Sequence, residues 1–222
     1  MDGHPLVFEA VTLNHGLTLD LQVPAHCAVS IVGAEDSGVG CLGRYALGLE
    51  RPASGKVLVL GEEIGTMARR HALAFRRRVG YLPAGDGLLQ NLSLYDNIAL
   101  PLRFGTSLSE REIAGRMRIM VTMVGIGGVA QHRPAAVNEE QRRRAALARA
   151  LALNPSLVIL EQPFDGLTVA AAAELLELAR GGETAEGSMR TVFIVGQHLP
   201  EILRRRIEFC YRLGRSGLER EN

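Results

Sequence analysis

Residues 27–49 read CAVSIVGAEDSGVGCLGRYALGL, and this stretch decides the fold. The short apolar, β-branched run Cys27–Val32 predicts a buried strand, which ends abruptly at Gly33. A glycine-rich loop follows, and the next residues predict a helix from about Leu42 to Leu49. A strand, a loop and a helix therefore follow one another here, as in the repeating unit of α/β proteins.

Strands and helices alternate along the rest of the chain as well. Leu6–Leu13 and Leu17–Val23 alternate apolar and polar residues as antiparallel strands do. Leu157–Leu160 and Thr191–Val195 are apolar, as buried parallel strands are, and Ser107–Ala150 is helical in pattern. The other predicted elements are the strands Val57–Gly61, Arg76–Leu82 and Ile207–Leu213, the helices Ala170–Arg180 and Pro200–Arg206, a loop with one short helix at Asp86–Phe104, and the loop Gly181–Gly187. This alternation predicts an α/β fold with a mostly parallel sheet.

The composition excludes several kinds of chemistry. The 222 residues include 25 basic and 24 acidic side chains, for a formal charge of +1. Of the basic residues 24 are arginine and one, Lys56, is lysine, so any mechanism that needs a lysine depends on Lys56. Because the chain is not strongly basic, we expect no nucleic-acid partner. The triplets Arg76–Arg78, Arg142–Arg144 and Arg204–Arg206 are interpreted as solvated or ion-paired helix surface.

The cysteines and the hydropathy indicate a soluble, cytosolic protein. Cys27, Cys41 and Cys210 are widely separated and lack metal-ligand spacing, so we expect reduced, buried thiols and no metal site. No apolar run approaches the roughly 18 to 20 residues that cross a bilayer. Residues 1–5 have neither the basic nor the apolar region of a signal peptide.

Four segments resemble the ATP-binding subunits of ABC transporters. Ile31–Gly55 is similar to their P-loop region, in which a glycine-rich loop leads into a helix that ends in Gly-Leu, followed by a Pro-x-Ser-Gly turn. Gly80–Leu102 resembles the Q-loop and the segment behind it, in wording closest to the Mla/Mce-type lipid-transport cassettes. Gln141–Leu151 resembles the helix behind the signature motif, and Leu157–Leu167 resembles the Walker B strand with its D-loop.

The resemblance covers nearly the whole chain and implies a single ABC-type domain over residues 1–222. It implies the P-loop NTPase-type ABC ATPase fold, in which a mostly parallel sheet carries an antiparallel β subdomain and a helical subdomain. Residues 1–83 and 151–222 would form the RecA-like core with the β subdomain. Residues 84–150 would form the helical subdomain with the signature motif.

The residues that work in such a P-loop are replaced here. A working loop reads GxxxxGK[ST], in which the lysine reaches the β- and γ-phosphates and the hydroxyl holds Mg²⁺. Val39 occupies the lysine position and Gly40 the hydroxyl position, while Glu35 and Asp36 bring two carboxylates into a loop meant for a polyanion. Lys56 lies beyond the helix and turn and cannot substitute. The vestigial P-loop residues are Gly33, Ser37, Gly38, Val39, Gly40 and Cys41.

The other motif positions that the resemblance identifies are altered too. Walker B should end in Asp-Glu, but the chain has Glu161, whose carboxylate could still reach a metal, and Gln162, which cannot act as a base. Ala84 stands at the Q-loop glutamine position, and Gln197 at the switch histidine, with His198 one place along. The signature retains only its glutamine, in the remnant Asn138, Glu139, Glu140 and Gln141. No catalytic position is intact.

The resemblance therefore predicts a pseudo-ATPase subunit of a membrane transport complex, with lipid as a candidate cargo. Binding of ATP and Mg²⁺, which the family implies, is predicted to be weak or absent. The expected partners are a membrane permease, docked through Ala84–Tyr95 at the cytoplasmic face of the inner membrane, and a second ABC subunit in a homo- or heterodimer. Two alternatives stay open: residual ATP hydrolysis with an intact ABC partner, and a soluble interaction module no longer tied to transport.

Three narrower hypotheses concern single residues near these motifs. Glu35 or Asp36 would take the place of phosphate by capping the helix that follows the P-loop. His198 would replace the switch histidine through a shift of one residue. Cys41 would be reactive at the helix N-terminus, although a small packing residue is the favoured interpretation.

Overall fold

The structure, a computed structural model, describes residues 3–14, 16–181 and 189–221. The predicted loop Gly181–Gly187 lies, apart from its first residue, outside the described residues. The strands are β1 Leu6–Thr12, β2 Thr18–Val23, β3 Ala28–Gly33, β4 Ser54–Val59, β5 Glu62–Glu63, β6 Val79–Leu82, β7 Leu157–Glu161, β8 Thr191–Gly196, β9 Phe209–Gly214 and β10 Gly217–Glu221. The helices are α1 Val39–Ala46, α2 Arg69–Arg76, α3 Leu94–Gly105, α4 Glu110–Met123, α5 Glu139–Leu151, α6 Val169–Arg180 and α7 Glu201–Arg204.

Two sheets organise the chain. The larger has the strand order β10-β9-β3-β8-β7-β6, and every pair in it is parallel except β10 with β9. The smaller has the order β2-β1-β4-β5 and is antiparallel. This arrangement confirms the α/β fold with a mostly parallel sheet.

The larger sheet is buried on both faces, which explains why its strands are apolar throughout. Ile159 of β7 and Phe193 of β8 face a core shared with α1 and the antiparallel sheet. Val158 and Ile194, their neighbours in sequence, face a second core formed with α3, α4, α5 and α6. Each such side chain contributes about 1.5–3 kcal/mol when fully buried. The sheet is therefore held rigidly between two layers.

Polar side chains define where two long helices begin. Ser109 and Glu112 form the capping box at α4 that their spacing predicts, and Asn138 and Gln141 form another at α5. These caps supply partners for backbone N–H groups that the first turn of a helix leaves free.

Several predicted boundaries were wrong. Helix α1 begins at Val39, earlier than predicted, because Gly38 adopts a left-handed conformation (φ 81°) that turns the chain directly into the helix. The predicted strand Arg76–Leu82 starts only at Val79, since Arg76 ends α2. Helix α3 is longer than the short helix predicted there. Strands β5 and β10 and helix α2 were not predicted.

The arginine triplets and the cysteines differ in part from expectation. Arg142, Arg143 and Arg144 are all ion-paired as predicted, but Arg143 is buried and not on the helix surface. All three cysteines are free thiols, yet Cys210 alone is buried, because Cys27 and Cys41 are partly exposed.

Candidate functional site

The predicted site residues, apart from the signature remnant, lie at one edge of the larger sheet. Parallel strands bring their carboxyl ends to the same edge, which is where α/β proteins place ligands. A cavity of about 160 Å³ opens there, between the loop after β3, the loop after β6 and the ends of β7 and β8. Its lining residues are Glu35, Val39, Gly40, Arg44, Ala84, Glu161, Gln162, Val195, Gly196 and Gln197. The four degenerate catalytic positions therefore lie around one cavity with part of the vestigial P-loop.

The vestigial P-loop is closed by bonds among its own residues. Ser37 Oγ donates a hydrogen bond of 2.6 Å to the carbonyl oxygen of Ala34, and the Val39 backbone N–H donates to Ser37 Oγ over 3.3 Å. A Cβ built on Gly33 would collide with Ser37 Oγ and lie 2.8 Å from the carbonyl oxygen of Leu213. Glycine is needed at Gly33 because the backbone passes so close.

The hypothesis that Glu35 or Asp36 caps α1 was wrong. The N-cap residue of α1 is Gly38, which has no side chain, and the hydroxyl of Ser37, not a carboxylate, accepts from the N–H of Val39. Both carboxylates are exposed. Asp36 lies 3.7 Å from Arg215 in an ion pair whose members are both highly exposed, and such pairs contribute little to stability.

The residue at the lysine position belongs to the hydrophobic core. Val39 is 2% exposed and packs in the core around α1. Arg44 is the one cationic side chain of the described residues that lines the cavity. Its Nε lies 2.7 Å from Glu50, and its Nη2 donates to Cys41 Sγ over 3.5 Å. Lys56 lies on β4 in the other sheet, opposite Glu9, away from the cavity.

Glu161 ends β7 and is bonded to the protein itself. The hydroxyl of Tyr81 donates a hydrogen bond of 2.8 Å to Oε2, while Oε1 is buried without a partner among the described residues. A Cβ built on Gly43 of α1 would collide with Oε1. Burial raises the pKa of Glu161, against the opposing effects of Tyr81, the Ala84 backbone amide and Arg44.

Both glutamines at catalytic positions line the cavity, and Gln162 also has a backbone role. Gln162 adopts a positive φ of 46°, and its backbone N–H donates to the carbonyl oxygen of Val195 over 2.8 Å. Its side-chain amide cannot accept a proton at neutral pH, so no base stands at this position. Gln197 lines the cavity, whereas His198 is exposed and does not. The one-residue shift proposed for His198 was therefore wrong.

The signature remnant lies apart from this cavity, at the start of α5. Gln141 N–H donates to Asn138 Oδ1 over 2.9 Å, and the Asn138 N–H donates to Gln141 Oε1 over 3.1 Å. Glu140 pairs with Arg144 at 2.9 Å, and a Cβ on Gly166 would collide with the Glu139 carboxylate. The remnant is a self-capped helix start with two partly exposed carboxylates.

An apolar groove beside the cavity was not predicted from the sequence. It has a volume of about 330 Å³ and lies between α2, α3 and α5. Leu73 and Phe104 stand exposed on its rim, and Tyr81 and Leu153 also line it. The groove could not be predicted because α2, which forms one of its walls, was itself not predicted.

The described residues contain neither a metal-binding cluster nor a helix that could cross a membrane. They contain no group of three or more His, Cys, Asp and Glu side chains arranged to hold a metal ion. Among the helices that the structure describes, none is both long and apolar enough to cross a membrane.

The fold is that of solved ATP-binding cassettes. A dimeric solved cassette, MJ0796 in a post-hydrolysis state bound to ADP and Pi, matches with a TM-score of 0.86 at 23% identity, covering 98% of this chain and 97% of that one. The cassette cbiO1 from Clostridium perfringens, part of the ABC transporter complex cbiONQ, matches with a TM-score of 0.81 at 20% identity, over 98% and 87% of the two chains. At these identities the matches show the fold.

Sequence comparison shows the family. The profile described as ABC transporter matches residues 17–165, more than half of the chain, which therefore belongs to the ABC transporter family. The methionine import ATP-binding protein MetN 1 of Salmonella paratyphi A is 33% identical over 162 residues, which cover 73% of this chain and 47% of that protein. MetN of Escherichia coli K12 is 32% identical over 162 residues, with the same coverage. The chain spans about half the length of these curated relatives.

Proposed function

We propose that this chain is a pseudo-ATPase cassette, a structural or regulatory subunit of a membrane transport complex at the cytoplasmic face of the inner membrane. The observation that carries the proposal is the chemistry of the cavity. Val39, Gly40, Gln162 and Gln197 surround it, at the positions where the family resemblance expects the lysine, the metal-binding hydroxyl, the base and the histidine.

ATP with Mg²⁺ does not fit the side chains around the cavity. A bound triphosphate needs positive charge, but the guanidinium of Arg44 is matched by Glu50 at 2.7 Å. Two carboxylates, Glu35 and Glu161, line the same space and would repel phosphate. Glu161 is the carboxylate placed to hold a metal, yet one of its oxygens accepts from Tyr81 and the other is buried against Gly43. None of the described residues that line the cavity supplies a hydroxyl in place of the one missing at Gly40.

A second cassette in a dimer would not restore a normal site. The family resemblance implies that each nucleotide lies between the P-loop of one chain and the signature of the other. The signature remnant here presents Glu139 and Glu140, which are 45% and 40% exposed. These carboxylates would face the γ-phosphate held by the partner, where repulsion opposes binding. A homodimer would combine two defective halves at each site.

Phosphate release and calorimetry with the purified full chain test this proposal. We expect no Mg²⁺-dependent ATP turnover and no ATP binding in the low-micromolar range. V39K is a matched variant, because it restores the lysine alone; it is expected to remain inactive, since the hydroxyl and the base are still missing. Turnover by the wild type that disappears in E161Q would instead support the residual ATPase.

The proposed permease contact uses the surface Ala84–Tyr95 and the neighbouring apolar groove. Leu89 on this surface and Phe104 on the groove rim are 48% and 75% exposed, and an apolar groove with exposed apolar side chains beside it is a surface that a partner can cover. The charged residues that line the groove are Arg76, Arg77 and Arg149. An amphipathic helix with an acidic residue fits a groove of this composition.

A pull-down of the full chain from solubilised membranes tests the contact. We expect a permease to be recovered with the wild type, and recovery to fall about tenfold or more in F104R and L89R, because each buries a charge in an apolar contact. I119R is the control, since Ile119 on α4 is 71% exposed but lies outside the groove. Equal recovery with all three variants would contradict this docking surface.

The candidate cargoes are a lipid and an amino acid. The sequence of Gly87–Leu102 resembles lipid-transport cassettes and therefore favours lipid. The names of the relatives, in contrast, concern methionine import. The neighbouring genes distinguish these classes: a lipid-binding component beside the permease supports lipid transport, and an amino-acid receptor opposes it.

A further inference from the structure

Tyr81 lies between the apolar groove and the cavity and contacts both. The residue lines the groove beside Leu73 and Phe104, and its hydroxyl bonds to Glu161, which lines the cavity. We propose that Tyr81, Glu161 and Gly43 form a permanent tie, which holds β6, β7 and α1 together without nucleotide. The tie keeps the groove in its docking geometry whether or not nucleotide is present. This inference rests on the proposed function.

The tie requires a glutamate at the end of β7. Glu161 is 7% exposed, so its hydrogen bond to Tyr81 lies in a medium of low dielectric, where such bonds are strengthened. The bond of 2.8 Å crosses from β7 to the adjacent strand β6. The aspartate that the family resemblance expects is shorter by one methylene and would draw the carboxylate back from Tyr81.

The tie also requires a glycine on α1. The carboxyl carbon and Cγ of Glu161 each lie 3.2 Å from the position of a Cβ on Gly43, and Oε1 lies closer still. The longer acid at the end of β7 and the missing side chain on α1 therefore fit one another. Gly43 costs α1 some intrinsic helix stability, and the space it leaves is filled by Glu161.

The charged side chains near Glu161 do not form a site in which a bound ligand could replace the tie. Arg44 of α1 reaches the vicinity of Glu161, but its closest carboxylate is Glu50 at 2.7 Å. Glu35 lines the cavity from the vestigial P-loop. Ala84, at the start of the proposed docking surface, lines the same cavity as Glu161. Strands β6 and β7 are thus bonded through one carboxylate.

Groove geometry depends on the tie through β6. Tyr81 is followed by Leu82, which is buried in the second core, and then by Pro83 and Ala84, where the docking surface begins. A Tyr81 that lost its bond would loosen both the groove wall and the start of that surface.

Hydrogen exchange of the purified full chain tests the proposal. Exchange reports local opening, so loss of a charge-assisted bond is expected to speed exchange in residues 39–46 and 79–84 about tenfold or more in Y81F. Y211F is the control, because Tyr211 is a partly buried tyrosine on β9 for which the described residues show no side-chain hydrogen bond. Adding Mg-ATP to the wild type should leave these segments unchanged. Equal exchange in Y81F and Y211F, or protection of the wild type by Mg-ATP, would overturn the tie.

A double-mutant cycle provides an independent measurement. G43A should lower Tm in the wild-type background, and it should lower Tm much less in E161D, whose shorter side chain vacates the space near residue 43. Additive effects of the two substitutions would contradict the contact. If G43A does not fold, the exchange of Y81F still decides the matter. ATP turnover is measured separately, so an active enzyme would refute the proposed function while the exchange data alone judge the tie.

Discussion

The guanidinium of Arg149 donates two hydrogen bonds to consecutive carbonyl oxygens, to Gly87 over 2.8 Å and to Asp86 over 3.0 Å. These carbonyls belong to a turn in which Gly85, Asp86 and Gly87 all have positive φ. For aspartate this conformation is uncommon and is kept only where the surroundings hold it. Arg142 lies about two turns before Arg149 on the same face of α5. It adds an ion pair to Asp86 at 3.4 Å. Helix α5 therefore fixes the start of the proposed docking surface.

R149K is expected to destabilise this turn. Lysine cannot reproduce the planar fork that bonds two carbonyl oxygens at once, so about 1.5–3 kcal/mol of unfolding free energy should be lost. Urea unfolding measures the loss. R118K is the matched control on the exposed face of α4, where no change is expected. A loss in R149K no larger than in R118K would mean that the fork does not hold the turn.

V39A tests whether the residue at the lysine position serves the core. Val39 is 2% exposed, so removing two methyl groups should cost roughly 1–3 kcal/mol of unfolding free energy. V169A, at a residue that is 51% exposed on α6, should cost far less. If V39A were as stable as V169A, the Val39 side chain would not be packed in the core, and the site would be more open than the structure shows.

The sequence predicted the framework better than the polar details, for physical reasons. Buried strands such as Leu157–Glu161 are apolar at every position, and this signal survives any change in function. Helix α2 was missed because five of its eight residues are arginine, histidine or phenylalanine without a clear apolar period, and among residues 70–76 only Ala72 and Phe75 are buried. It is held by the side chain of Arg76, which donates to the Leu47 and Gly48 carbonyls. Such a long-range contact leaves no local pattern.

In the candidate site, too, local sequence patterns were predicted and long-range contacts were not. The motif positions Ala84, Glu161, Gln162 and Gln197 were found because their spacing along the chain matches a family. The bond from Tyr81 to Glu161 joins residues 80 positions apart, so no spacing rule could predict it.

N138A tests what remains of the signature motif. Its side chain accepts from the Gln141 N–H, and loss of such a cap typically costs about 1 kcal/mol. S109A removes the equivalent cap of α4 and should cost a similar amount. Thermal unfolding compares the two. A change in association with a partner cassette in N138A, absent in S109A, would show that the remnant still serves more than its own helix.

The ion pair between Arg180 and Glu208 is expected to make the stability of the protein depend on pH. Arg180 is buried and lies 2.5 Å from Glu208, whose other oxygen accepts from the Ala28 N–H over 2.7 Å. Burial alone would raise the pKa of Glu208, but the bonds from Arg180 and Ala28 outweigh it and leave the pKa below its ordinary value. A depressed carboxyl pKa gives stability that is present above the unfolded-state value of about 4.3 and lost as pH falls through the folded-state value.

E208Q should therefore cost stability at pH 7 and progressively less below pH of about 4. We expect about 1–2 kcal/mol at pH 7, less than the 3–5 kcal/mol of a fully buried pair, because the Glu208 side chain is 38% exposed. E177Q is the control, since its pair with Arg206 is exposed on both sides and should contribute under about 1 kcal/mol at any pH. Urea unfolding at pH 7 and pH 3.5 separates the two. A cost in E208Q that stays constant between these pH values would show that the carboxylate charge is not what holds Arg180.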